Sequence, residues 1–135
     1  MKLLLPKKSA DEMEGEDKML NFEELQKLCL TKAGAYECHP FGPFPVCYKV
    51  GNRIFLEWYP EDEKITLRCE PMLGEYYKGQ YSGIVIPGYP DRQRRYKITI
   101  YINRGLEDAI LSDLIDHSYQ EAVRRIAKSE RINIA

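Results

Sequence analysis

PVCYKVGNRIFLEWYPEDEKITLRC, residues 45–69, carries the clearest two-residue periodicity in the chain. Val46, Tyr48 and Val50 fall on one side of a two-residue period, and Gly51-Asn52 then supplies a tight turn. RIFLEWY alternates Ile54, Leu56 and Trp58 against Phe55, Glu57 and Tyr59. Pro60–Glu63 reads as a second turn, after which Ile65, Leu67 and Cys69 resume the alternation. Side chains of a strand point to opposite faces in turn, so three such runs at short intervals predict an antiparallel meander with one apolar face.

The period changes on either side. Upstream, NFEELQKLCLTKAG carries a helix: Asn21 is placed to cap it, and Glu24 stands at the capping-box position three residues on. Phe22, Leu25 and Cys29, joined by Leu28, form its stripe, and Gly34 suits its end. Downstream, Glu70–Gly79 reads as a short helix opened by Pro71, YKITIYI as a strand with Ile98, Ile100 and Ile102 on one side, and Asn103-Arg104-Gly105 as a turn. The last helix is expected from about Glu107 to Lys128, with Leu111, Leu114, Ile115, Ser118, Tyr119, Ala122, Val123 and Ile126 at helical spacing. An α+β fold follows: an antiparallel β-sheet of four or more strands, with the N- and C-terminal helices packed on one face. Residues 1–20 are charged and aperiodic and read as a flexible N-terminal extension, 21–128 as the domain, and 129–135 as a C-terminal tail.

Composition narrows the function classes. With 44% hydrophobic and 30% charged residues over 135 positions, the chain supports one globular domain with a core. MKLLLP has too short an apolar run for a signal peptide or a span, so a cytoplasmic location without membrane contact is expected. The cysteines at 29, 38, 47 and 69 form no CxxC pair, and Cys38-His39 with Cys47 lacks a fourth ligand nearby, so reduced thiols and no metal or other cofactor are expected. No nucleophile elbow, Walker loop, HExxH or GxGxxG is present, and no catalytic residue is assigned.

AGAYECHPFGP (33–43), KVGNRIF (49–55), CEP (69–71), PGY (87–89) and LIDHSYQEAV (114–123) stand in the order and rough spacing of the MmcQ/YjbR family, which the chain resembles over residues 21–128. The resemblance implies a compact fold similar to the CyaY/frataxin arrangement and a non-enzymatic DNA-binding domain of the "double wing" type. One position departs from the family pattern: Tyr96 stands where the family commonly has tryptophan in the strand after PGY.

Charge points the same way. Although the chain has 20 Lys+Arg against 21 Asp+Glu, GYPDRQRRYK concentrates Arg92, Arg94, Arg95 and Lys97 beside one acid, Asp91. A loop at Tyr89–Arg95 leading into a strand makes a basic wing whose guanidinium groups can straddle phosphates, helped by Lys49, Arg53 and Arg68. By alternation the sheet face away from the helices collects Cys47, Lys49, Phe55, Glu57, Tyr59, Thr66, Arg68, Lys97, Thr99 and Tyr101. Rings among cations suit a nucleic-acid platform. The same face suits a protein-interaction or small-ligand module, including a homodimer, or burial under residues 1–20. His117, with Asp113 and Glu121 four residues to either side, is either an ion-paired acid–base group or a structural histidine bonded to a loop such as the PFGP segment. Glu57, Glu61, Asp62 and Glu63 invite comparison with an acidic iron-binding ridge, against which Lys27 and Lys32 on the first helix argue.

Overall fold

The meander forms the centre of a six-stranded antiparallel sheet in the computed structural model, which describes residues 21–88 and 96–126. In chain order the elements are α1 (Phe22–Leu30), β1 (Ala35–Cys38), β2 (Val46–Val50), β3 (Arg53–Tyr59), β4 (Lys64–Arg68), α2 (Pro71–Gln80), β5 (Val85–Pro87), β6 (Lys97–Tyr101) and α3 (Asp108–Arg124). The strands lie in the order β1-β2-β3-β4-β6-β5, every pairing antiparallel. The proposed extension at 1–20 and tail at 129–135 lie outside the described residues.

Each expected helix has its local cause. The Asn21 side chain accepts from the Glu24 amide at 2.8 Å while the Glu24 carboxylate accepts from the Asn21 amide at 3.4 Å, so the capping box closes. Pro71 opens α2, and the preceding Glu70 caps it through a 3.0 Å bond from the Leu73 amide. Helix α3 ends at Arg124, earlier than the expected Lys128, and Lys128 lies outside the described residues. Two strands, β1 and β5, add to the four read from the sequence; both are short, and both lie at the sheet's edges.

The core fills the space between one sheet face and the helices. Two opposed rows, Val46–Trp58–Ile65–Ile100–Val85 and Tyr48–Leu56–Leu67–Ile98, run across the sheet and are buried. Leu25 and Cys29 of α1 and Leu111, Leu114, Ile115 and Ala122 of α3 pack onto them. Gly74 lets α2 approach closely: a Cβ there would sit 3.3 Å from Ile98 Cγ2.

One feature of β3 corrects the simple alternation. Tyr48 opposes Leu56, but the next residue, Lys49, opposes Ile54, so Phe55 is the extra residue of a bulge. A bulge puts two residues of one strand opposite one of its partner and breaks the two-residue period. Phe55 therefore leaves the outer face on which alternation had placed it. It is fully buried, its ring edge-on to Tyr119 of α3 at 5.4 Å, and Ile54 takes the outer position beside Lys49. Such an aromatic pair contributes roughly 0.5–1.5 kcal/mol beyond its buried area.

Candidate nucleic-acid interface

Opposed residues of neighbouring strands share a face, so the register lays out the outer surface. One row crosses all six strands: Cys38, Cys47, Glu57, Thr66, Thr99 and Ile86. Its middle is polar and tied together. Thr66 and Thr99 share a 2.7 Å hydroxyl bond, and the Tyr59 hydroxyl donates to Glu57 at 2.8 Å. Burial, then the bond to Glu57, push the Tyr59 phenol up from its ordinary value, so it stays a donor.

Towards one end of the strands the same face turns basic. Lys49 from β2, Arg53 from β3, Arg68 from β4 and Lys97 from β6 border a recess of about 560 Å³. Phe41 and Tyr59 are among the residues that line it, and Glu57 is the one carboxylate among the described lining residues. No carboxylate of the described residues forms an ion pair with Lys49, Arg53 or Arg68. Arg68 is held in place: its Nε donates to the Ile54 carbonyl at 2.8 Å and its opposed neighbour is Lys97. Burial, then the nearby Arg125 and Arg53 guanidiniums, push the Arg68 guanidinium below its ordinary value, which outweighs the opposite pull of Glu121 and Glu57. Among the described residues that line the recess, cations outnumber carboxylates, an arrangement that favours an entering anion.

Of the residues the sequence assigned to a nucleic-acid contact, the structure thus brings together Lys49, Arg53, Arg68 and Lys97. Tyr89, Arg92, Arg94 and Arg95 lie outside the described residues. Two outer-face rings are engaged by cations: Tyr101 lies under the Arg104 guanidinium at 4.0 Å and Tyr59 under the Lys64 ammonium at 5.3 Å.

The late motif is structural. His117 Nε2 accepts from the Glu70 amide at 3.0 Å, so the ring holds the start of α2 and not the PFGP segment. Glu121 pairs with Arg124 and Arg125, so the His117–Glu121 contact does not form. Ser118 Oγ accepts from the Arg68 amide at 2.8 Å and donates to the Phe55 carbonyl at 2.6 Å. Phe55 and Arg68 are the next opposed positions of β3 and β4 after Leu56 and Leu67, so the hydroxyl stands where a direct ladder bond would run. The Tyr119 hydroxyl donates to the Ala33 carbonyl at 2.5 Å, tying down the exit of α1. Three consecutive side chains of α3 each grip the backbone of a different segment. A serine inside an otherwise apolar helical stripe was the signal for the middle one.

His39 bonds within its own loop, to Glu37 at 3.1 Å and to the Pro43 carbonyl at 3.3 Å. Asp62 pairs with Lys64 at 3.7 Å, and no three His, Cys, Asp or Glu among the described residues are grouped to hold a metal ion. No helix among the described residues is long and apolar enough to cross a membrane.

A family model described as YjbR matches residues 30–121, which takes in every strand and most of α3. The chain belongs to the YjbR family. A curated relative, the uncharacterized protein YbdF of Escherichia coli O157:H7, is 29% identical over 120 residues, covering 85% of this chain and 94% of the relative. The crystal structure of Deinococcus radiodurans protein DR2400, with a DUF419 family domain, superposes with a TM-score of 0.77 at 20% identity, covering 86% of this chain and 88% of that one. A Pseudomonas syringae protein superposes with a TM-score of 0.63 at 18% identity, covering 76% of this chain and 99% of that one. At these identities the two structures establish the shared α+β fold and leave the use of the outer face to its own chemistry.

Proposed function

We propose that this YjbR-family protein binds DNA, seating the phosphate backbone against the basic end of its outer sheet face. The observation that carries the reading is the convergence of Lys49, Arg53, Arg68 and Lys97, from four different strands, around one recess with a single carboxylate among the described residues that line it. Guanidinium forks match phosphate oxygens two at a time, and a pre-fixed Arg68 loses little freedom on binding. In sequence, Arg92, Arg94 and Arg95 come just before Lys97 and make the densest run of positive charge in the chain. Contacts of this kind position a strand without reading its sequence.

A second reading rests on the recess itself: about 560 Å³ falls within the roughly 300–1,000 Å³ of small-ligand pockets, and an anionic small molecule meets the same cations.

Fluorescence anisotropy with single- and double-stranded oligonucleotides, between roughly 50 and 200 mM salt, separates the two. The variant K49Q/R53Q removes two cations that hold no structural bond among the described residues. DNA binding predicts that its log–log salt slope is shallower than wild type by about 1.4–1.8 for two lost phosphate contacts. Parallel slopes for the two proteins refute phosphate contact at the recess. A nucleoside monophosphate that displaces the oligonucleotide at equal affinity selects the small-ligand reading.

A further inference from the structure

The register places two free cysteines directly opposite one another on the outer face. Cys38 ends β1, Cys47 lies near the start of β2, and the two are Cα partners in the antiparallel ladder. Opposed residues in such a ladder have Cα atoms about 4.5–5.5 Å apart, inside the roughly 4.4–6.8 Å span of disulfides. Their Cβ atoms, about 4.5–5.5 Å apart in such pairs, need only a small closing movement. Among the described residues β1 is an edge strand, paired on one side only, and can make it. Between the two cysteines lie the HPFGPFP loop and Val46; Phe41 and Phe44 of the loop are 63% and 58% exposed, and its Phe41 and Pro45 line the basic recess.

We infer that Cys38 and Cys47 are a reversible dithiol–disulfide pair that exchanges with a low-molecular-weight disulfide such as oxidised glutathione, and that oxidation clamps the 39–45 loop at the edge of the recess. The half-buried Cys38 is the sulfur a small disulfide reaches first, because Cys47 is fully covered. The Cys38 thiolate attacks one sulfur of the oxidant, whose S–S bond breaks and releases one glutathione thiolate. Cys47 then gives up its proton and attacks the Cys38 sulfur, and the second glutathione leaves as the thiolate that takes up a proton. Two cysteines are oxidised by two electrons, and one glutathione disulfide is reduced to two thiols.

Burial pushes both thiols up, Cys47 to about 12, against the pull of the Lys49 ammonium. Few thiolates are present near neutrality, so formation is slow. Conversely, poorly acidic thiols stabilise the reduced state little, and the disulfide once made resists reduction. Formation of the bond does not depend on the nucleic-acid reading.

The test uses the full chain equilibrated in glutathione buffers of rising oxidised fraction, alkylated under denaturing conditions, weighed intact and digested without reduction. Four alkylated cysteines should fall to two, the unalkylated protein should lose about 2 Da as two hydrogens leave, and one peptide pair should join Cys38 to Cys47. A dithiol reductant should restore all four. Cys38→Ser and Cys47→Ala should each form no internal bridge. Amide exchange across 39–45 should slow severalfold in the bridged protein. A glutathione adduct on Cys38 with Cys47 still alkylated, a bridge through Cys29 or Cys69, or four alkylated thiols at every ratio overturns the pairing. A Cys38–Cys47 bridge with unchanged exchange in the loop overturns the clamp. Neither result bears on whether oligonucleotides bind.

Discussion

Removing the Ser118 hydroxyl tests the way the sheet is held open beside its basic end. Ser118→Ala deletes one oxygen and with it both the 2.8 Å bond from the Arg68 amide and the 2.6 Å bond to the Phe55 carbonyl. Ser118 is fully buried, and the space vacated by one hydroxyl is smaller than a water molecule's share of volume, so no solvent replaces it. Each orphaned buried backbone group costs about 1–3 kcal/mol, and alanine's better helix propensity returns about 0.5 kcal/mol. The expected net loss is therefore about 1.5–5.5 kcal/mol, a large part of the total stability of a domain this size. Trp58, the one tryptophan and a core residue, reports unfolding by fluorescence. With a urea m-value of about 2 kcal/mol/M, the midpoint should fall by about 1–3 M at unchanged m. A loss below about 1 kcal/mol would mean that β3 and β4 close the gap by pairing Phe55 with Arg68 directly, and the bridging role would be wrong.

Two further perturbations follow from positions already described. At Gly51, with φ +61°, an added Cβ would stand 2.8 Å from Ile126 Cδ1, so Gly51→Ala should destabilise by about 1–3 kcal/mol, and adding Ile126→Ala should make the alanine at 51 less costly. Additive effects in that double-mutant cycle would leave backbone strain as the sole cause. Burial pushes Cys29, Cys47 and Cys69 from 9.0 to about 12, so between those pH values the unfolded chain releases protons that the fold retains. Stability is then fully present below pH 9 and is lost as pH rises towards 12, each thiol contributing up to about 1.4 kcal/mol per pH unit. Urea midpoints under reducing conditions should drop across this window, and Cys29→Ala should flatten the decline by about one thiol's share. An unchanged slope in that variant refutes retention of the Cys29 proton.

How far the sequence could be read depends on whether a segment carries its own signal. The 45–69 stretch does, because both faces of its strands are filled in alternation and its turns are marked by Gly51-Asn52 and Pro60. The Asn21 cap and the α3 stripe do as well. β1 and β5 do not: four half-exposed residues and three residues, respectively, are too few for a period, and each exists because a neighbour offers it hydrogen bonds. The bulge at Phe55 leaves no mark in composition, since RIFLEWY alternates acceptably in either register, and only the fit of a phenyl ring against Tyr119 decides between them. Of the candidate site, Lys49, Arg68 and Lys97 were legible from alternation alone. Arg53 was also assigned to the contact from the sequence, whereas that Phe41 reaches the same recess from a loop required the strands to be placed first.

The bulge, Ser118 and the basic recess form a single construction. An extra residue in β3 turns Phe55 inward, where Tyr119 receives it, and puts Ile54 outward beside Lys49. That shift leaves the Phe55 carbonyl and the Arg68 amide without each other, and Ser118 supplies what both lack. The Ile54 carbonyl is in turn the acceptor that holds the Arg68 guanidinium at the recess. The arginine is thus fixed through its amide by α3 and through its side chain by the bulged strand. None of His117, Ser118 and Tyr119 lines the recess, yet Ser118 and Tyr119 decide where its central cation stands. A motif on the buried side of the sheet can therefore report the geometry of a surface it never reaches, because a ladder bond missing on one side of the sheet must be made good from the other.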